Sequence, residues 1–139
     1  MSLLLDTNVV SEWSRPSATE AVKRLVNEAG HLPMYISVIS IGEIRYGIER
    51  LANGRRKVGL LGWVAELELD YEDKIIPVDL QTAKVWGEIT ARLHSQGNNF
   101  QAGDSWIAAT AIRHGMKLAT RNERDFAGTG VAIINPWNF

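Results

Sequence analysis

A chain of 139 residues, 45% apolar with five tryptophans, is expected to form one domain spanning residues 1–139 and to bury about two-thirds of its unfolded surface. Its formal net charge of −1 excludes a global pull toward nucleic acid, so a polyanion would need a local basic patch or a metal. The lack of cysteine excludes disulfides and thiolate zinc sites; with no basic leader and no apolar run of membrane-spanning length, a soluble cytoplasmic protein is expected.

Leu3 to Leu5 is a continuous apolar run ending at Asp6-Thr7-Asn8, the pattern of a buried strand handing over to a helix. Pro16 stops that helix, and Ala18, Ala21, Val22, Leu25, Val26 and Ala29 recur at helical spacing, predicting a second helix over 17–29 closed by Gly30. Met34 to Val38 reads as a strand. Ser40 is placed to cap a helix with an Ile41, Ile44, Ile48 and Leu51 stripe ending at Asn53-Gly54. Arg55-Arg56-Lys57 opens another, with Val58, Leu61, Val64 and Leu67 inward. Lys74 to Val78, containing Pro77, reads as a short strand at a sheet edge or one that ends at the proline. Asp79 caps a helix marked by Ala83, Trp86, Ile89, Thr90 and Leu93, after which 98–103 reads as a polar, mobile loop. A helix from Asp104 to His114, a strand over 117–120 and a last strand over 131–134 complete an alternation that predicts a parallel α/β/α sandwich.

Four acids stand at the ends of these elements: Asp6, Glu43, Asp104 and Asp125. In an open parallel sheet, ligands gather beyond the carboxyl ends of the strands. Asp104 shares a helical face with Ile107, Ala108 and Ala111, so the stripe that packs the helix aims Asp104 inward. Each acid also has a plain structural reading. Asp6 is a possible N-cap, Glu43 completes an S-x-x-E capping box with Ser40, Asp104 is a possible solvated first-turn acid, and Asn122 with Asp125 reads as a cap and its N3 partner. Thr7 and Asn8 suit hydrogen bonding to a buried acid better than packing. Four such coincidences are less probable than one site.

Clustered carboxylates repel unless a hard cation neutralises them. Without cysteine, and with His31, His94 and His114 scattered, the donor set selects Mg²⁺ or Mn²⁺ over zinc. Such ions activate water and stabilise charge on phosphorus, which points to phosphodiester hydrolysis. No nucleophile elbow or P-loop pattern is present.

The segments LLLDTNVVSE, SVISIGEIRYGIERL, GDSWIAATAIRHGMKLATRNERDF and the terminal NPW resemble the PIN-domain ribonucleases, and among them the VapC and FitB toxins of bacterial type II toxin–antitoxin pairs. The resemblance covers essentially the whole chain. It implies a PIN fold, Mg²⁺-dependent endonuclease activity on RNA, a homodimer, and neutralisation by a cognate antitoxin through which alone operator DNA is met. The family's metal-binding acids carry over to Asp6 and Asp104, with Glu43 as third acid. Many relatives have a fourth acid two residues after the threonine of the late strand, where this chain has Asn122. Either Asp125 replaces it or the site works with three acids, and Asn8, Asn122 and Asp125 are the candidates for an added acid or for supporting hydrogen bonds. The capping reading of Asn122 and Asp125 is the one favoured.

Arg121 is a candidate phosphate contact, with a surface salt bridge as its rival. Arg55, Arg56 and Lys57 are candidate RNA guides, Trp13 and Trp106 candidate base-stacking rings, and the helices from Ile41 to Leu67 a candidate antitoxin groove by family analogy. Two other functions fit the acids. One is a Mg²⁺-dependent phosphotransfer domain, opposed by Asn8 where a phosphatase wants a second Asp. The other is an inactive PIN scaffold acting only in a repressor complex.

Overall fold

Leu3, Leu4 and Leu5 are fully buried, and their alternation divides them between two cores. Leu3 and Leu5 pack with Val9, Leu25, Ile36, Ile44 and Val64, whereas Leu4 packs with Ile107, Ala108, Leu118 and Phe126. A strand that buries both faces in this way is the centre of a parallel sheet with helices on either side. The computed structural model describes residues 1–15 and 20–138.

In chain order the elements are β1 (Leu3–Leu5), α1 (Thr7–Glu12), α2 (Glu20–Ala29), β2 (Met34–Ser37), α3 (Val38–Glu49), α4 (Arg55–Asp70), β3 (Ile75–Ile76), α5 (Leu80–Ser95), α6 (Ala102–His114), β4 (Lys117–Ala119) and β5 (Ile133–Ile134). Short 3₁₀ turns at Glu72–Lys74, Glu123–Phe126 and Pro136–Asn138 fill the remaining connections. The strands lie in the order β3-β2-β1-β4-β5, every pairing parallel. Helices α1 to α4 build the core on one face; α5 and α6 build the other. This is the expected α/β/α sandwich. No helix among the described residues is long and apolar enough to cross a membrane.

The strand order places the site. From β1 the chain moves outward through β2 to β3, then returns to the opposite side of β1 for β4. The carboxyl ends of β1 and β4 therefore diverge into connections on opposite sides, leaving the crevice where open α/β sheets bind ligands. Asp6 follows β1, and Thr120 follows β4.

Several element boundaries differ from expectation. Helix α3 begins at Val38, because Ser37 Oγ accepts from Ile39 N–H at 3.0 Å; Ser37 is the cap, and Ser40 lies buried inside the helix. The capping box proposed for Ser40 and Glu43 therefore does not form. The same helix closes at Glu49, ahead of Asn53-Gly54. Val58 is 70% exposed, not inward. The first turn of α4 is tethered through Lys57, whose Nζ donates to the Glu49 carbonyl at 3.2 Å, and the packed face begins at Leu60 and Leu61. Strands β3 and β5 are two residues each, with Pro77 following the edge strand β3, and β4 ends at Ala119 rather than Thr120. Pro16, Ser17 and Ala18, assigned to the end of one helix and the start of the next, lie outside the described residues.

Asp79 caps α5 as expected, accepting from Thr82 N–H and Oγ1–H at 2.8 Å each. Helix α6 starts two residues before Asp104, at Ala102, which shortens the expected 98–103 loop. The helices α5 and α6 pack closely. Trp86 and Trp106 stack at 4.5 Å with an interplanar angle of 6°, and Trp86 Nε1–H donates to Ser105 Oγ at 2.9 Å.

Ser37→Ala removes a buried cap and is expected to lower stability by about 1 kcal/mol, read by urea unfolding. If Ser37→Ala is neutral while Ser40→Ala carries that loss, α3 starts three residues later than described.

Candidate active site

Asp6 is 4% exposed. It is the N-cap of α1, with Oδ1 accepting from Thr7 N–H at 2.8 Å. Its Oδ2 accepts from Thr120 Oγ1–H at 2.7 Å and from Asn8 Nδ2–H at 3.2 Å. The Asp6 N–H donates to the Ala119 carbonyl at 2.9 Å, extending the β1–β4 pairing to the acid itself. The capping and site readings of Asp6 thus describe one geometry. All its donors are neutral, so its charge is solvated but not cancelled.

Glu43 projects from the second turn of α3 and is exposed. Thr7 Oγ1 donates to its Oε1 at 3.0 Å and also lies 2.9 Å from Ser40 Oγ. Thr7 therefore links the first turn of α1 to Glu43 across the crevice. On the opposite side α6 approaches closely: a Cβ on Gly103 would stand 3.1 Å from Glu43 Oε2. The next residue on α6 is Asp104, which is half-buried.

The electrostatics join these acids. Burial pushes the Asp104 carboxyl up from 3.8 to about 7, and the charges of Asp6, Asp125 and Glu43 push it in the same direction. Asp6 is also raised, chiefly by burial, against the lowering effect of the Thr120 and Thr7 hydrogen bonds; Glu43 and Asp125 add repulsion. All four acids picked out from the sequence thus share one neighbourhood. Among the described residues, however, no three carboxylate or imidazole side chains close on one point as a finished ligand set. The donor chemistry, oxygen only and net negative, fits a hard divalent cation.

The expected Asn122 cap is not made. A 3₁₀ turn runs from Glu123 to Phe126 without a side-chain cap, and Asn122 instead donates its N–H to Thr120 Oγ1 at 3.0 Å. Asp125 is left exposed, acting on Asp6 and Asp104 through charge. Arg121 makes no carboxylate pair among the described residues; its guanidinium lies over the Trp137 ring at 5.3 Å. Trp106 stacks on Trp86 and Trp13 on Tyr71, so neither ring is set out for a base. Lys57 is held by Glu49, while Arg56 lines a cleft of about 250 Å³ that also takes in Thr7, Glu43, Ile44, Leu60 and Trp63.

The PIN domain family model matches residues 3–131. The chain belongs to the PIN-domain family. Toxin FitB of Neisseria gonorrhoeae is 34% identical to this PIN domain over 98% of this chain and 99% of its own. VapC ribonuclease Y4jK of Sinorhizobium fredii is 30% identical, covering 97% of each. The crystal structure of FitAcB from Neisseria gonorrhoeae aligns with a TM-score of 0.86 at 33% identity, covering 99% of each chain.

Sequence reasoning missed Thr120, the strongest partner of Asp6 in this PIN domain, and the link from Thr7 to Ser40 and Glu43. A hydroxyl one residue beyond the strand that flanks β1 was the signal for Thr120. Nothing local could signal Ser40, which looks like a cap from its spacing alone.

Two outcomes follow from the charges. Between about 4 and 7 the folded PIN domain keeps a proton on Asp104 that the unfolded chain has released, so stability falls as pH rises through that window and the full penalty stands above 7. In metal-free buffer, Asp104→Asn is expected to raise the melting temperature most near pH 8, the gain fading toward pH 4; a gain independent of pH contradicts the repulsion. Asn122→Ala should change stability by no more than about 0.5 kcal/mol, whereas Asp125→Asn should lower the Asp104 pKa in a carboxyl carbon NMR titration. A static Asp104 titration would place Asp125 outside the cluster.

Proposed function

We propose that this PIN domain is the toxin of a type II toxin–antitoxin pair, an endoribonuclease dependent on a divalent metal, with Mg²⁺ as the ion and Mn²⁺ as a substitute. The observation that carries the reading is the gathering of Asp6, Glu43, Asp104 and Asp125 around the sheet's switch point, with only neutral hydrogen-bond donors on Asp6 and Glu43 among the described residues. An uncompensated acid cluster lowers the stability of its own fold, and a cation that binds there offsets that cost. The names of the relatives, a toxin and a ribonuclease, support the same direction.

Asp6 and Asp104 would hold the ion, with Glu43 holding it directly or through water. When bound, such an ion lowers the pKa of water and neutralises charge developing on phosphorus. The remaining work falls to the chain. Thr120, Asn8 and the Thr7 amide fix Asp6 with neutral donors, so that its negative charge stays available. Thr7 holds Glu43 Oε1, leaving Oε2 to accept a proton from water. Arg121 is exposed beside this edge, its N–H 3.5 Å from Asn8 Oδ1 and its guanidinium over Trp137, and would pair with a phosphate of the strand. The proposed reaction is in-line hydrolysis of an RNA phosphodiester.

The wider assignments belong to the same proposal. The chain is taken as one domain over 1–139, working in the cytoplasm as a homodimer. A cognate antitoxin neutralises it, and operator DNA is contacted only through that antitoxin, since a net charge of −1 gives this chain no general attraction for a polyanion. The cleft between α1, α3 and α4 is the assigned antitoxin groove, with apolar Ile44, Ile48, Leu60 and Trp63 at its base.

Asp6→Asn and Asp104→Asn are each expected to abolish cleavage of RNA while leaving the protein folded. Mg²⁺ or Mn²⁺ should raise the wild-type melting temperature by linkage, and much less that of Asp6→Asn. Wild-type turnover by Asp104→Asn would remove it from the site, and cleavage that survives chelation would remove the metal. No cleavage by wild type with either ion would leave the inactive-scaffold reading.

A further inference from the structure

Beside the acids lies a second cavity, of about 250 Å³, whose lining joins Asp104 and Asp125 to Arg124 and to Asn98, Asn99, Phe100 and Gln101. This volume lies just under the roughly 300–1,000 Å³ of sites for drug-sized ligands, a size for one planar group. We propose that it is a nucleobase-reading subsite, in which the amides of Asn98, Asn99 and Gln101 read the edge of an unpaired RNA base next to the scissile phosphate. The subsite rests on the nuclease reading and adds to it the source of sequence preference.

Joining α5 to α6 does not by itself demand these residues. The segment is anchored at both ends: Gly97 adopts the left-handed φ of 73° that ends α5, and Asn98 N–H donates to the Leu93 carbonyl at 2.9 Å. In between, Phe100 packs against the buried side chains of the α5–α6 face, among them Ile107, Leu118 and Leu93, and meets Phe126 edge to face at 6.2 Å. The backbone is thus fixed while the polar side chains are left over. Among the described residues, none of the three amide groups makes a side-chain hydrogen bond, and Gln101, at the N-cap position of α6, does not cap it. Arg124 likewise makes no ion pair there, although Asp125 is its neighbour in sequence.

The chemistry of the lining fits a base better than a general anion. A primary amide presents a donor and an acceptor side by side, the arrangement that matches base edges, and RNA is read in sequence mainly where its bases are unpaired. Phe100 contributes an aromatic surface to the same cavity, and bases stack on such surfaces whatever their identity. Arg124 supplies the cation for the adjoining phosphate. Asp104 lines both this cavity and the acid cluster, so a base seated here places its own phosphodiester at the acids.

The test uses the full chain and single-stranded oligoribonucleotides that differ by one base at each position around the cleavage point. Wild type is expected to prefer one base at one adjacent position, and Asn99→Ala/Gln101→Ala to reduce that preference by roughly tenfold while preferences elsewhere stand. Asn99→Asp, which exchanges a donor for an acceptor, should change which base is preferred, an effect that loop damage would not produce. Phe100→Leu, which keeps the core apolar, should raise KM for all four bases alike. An unaltered preference in these variants, or a uniform loss of rate without a change in preference, overturns the subsite. Fluorescence anisotropy of labelled homopolymeric RNA oligonucleotides in EDTA reads it without turnover. Base-selective binding lost in the double variant supports the subsite even if wild type fails to cleave, an outcome that overturns the nuclease reading alone; an order of affinities shared by wild type and variants, or no binding, overturns the subsite.

Discussion

The arrangement of this protein turns on four carboxylates that repel one another at the end of a sheet and that, among the described residues, have no cation as an ion-pair partner. Some acids elsewhere are matched with cations: Glu68 with Arg45, Glu49 with Lys57, Asp79 with Arg113. At the crevice the donors are hydroxyls, an amide and a backbone N–H. Neutral donors orient a carboxylate and recover part of its lost hydration without cancelling its charge. The field of the cluster therefore survives in the folded state, and Asp104, half-buried and facing three like charges, bears its cost most clearly.

The rest of the structure keeps these groups from relaxing apart. Asp6 continues directly from a strand whose three leucines are fully buried, and its N–H extends the pairing with β4. Asp104 stands on a helix whose Ser105, Ile107, Ala108, Ala109, Thr110 and Ala111 are all buried, so its first turn cannot swing outward without opening the core. Glu43 and Asp125 are both exposed, and of the two Glu43 is held by Thr7 Oγ1.

What could be read from the sequence followed from contrasts between strong signals. The apolar runs at Leu3 and Lys117, the periodic helices and the Asp79 cap are local, and the sandwich follows from their alternation. The acids were legible because carboxylates at the ends of apolar elements conflict with ordinary packing. The misreadings are equally physical. Ser37 and Ser40 are both plausible caps by spacing, and the choice depends on where β2 runs out of partner strand, which is a property of the sheet. Asn122 resembles a cap, yet Thr120 Oγ1 accepts its N–H and the turn that follows is 3₁₀, with no side-chain cap. Val58 fits the apolar stripe, but the first turn of α4 leans on Lys57. In the first case the sheet decided between two locally acceptable caps, and in the other two a local hydrogen bond did, Asn122 N–H to Thr120 Oγ1 and Lys57 Nζ to the Glu49 carbonyl, which the spacing of residue types does not rank.

The stacked indoles of Trp86 and Trp106 have a consequence of a different kind. Two nearly parallel, stacked rings at 4.5 Å couple their electronic transitions, and such coupling splits the strong far-ultraviolet circular dichroism of the indoles into a pair of bands whose size depends on separation and angle. Trp106 sits two residues after Asp104 on α6, and the Trp86 ring is tied to Ser105. The chain therefore carries its own optical gauge of how the first turns of α6 lie against α5, so small adjustments at the acid-bearing end of that helix become visible in absorbed light without any added label.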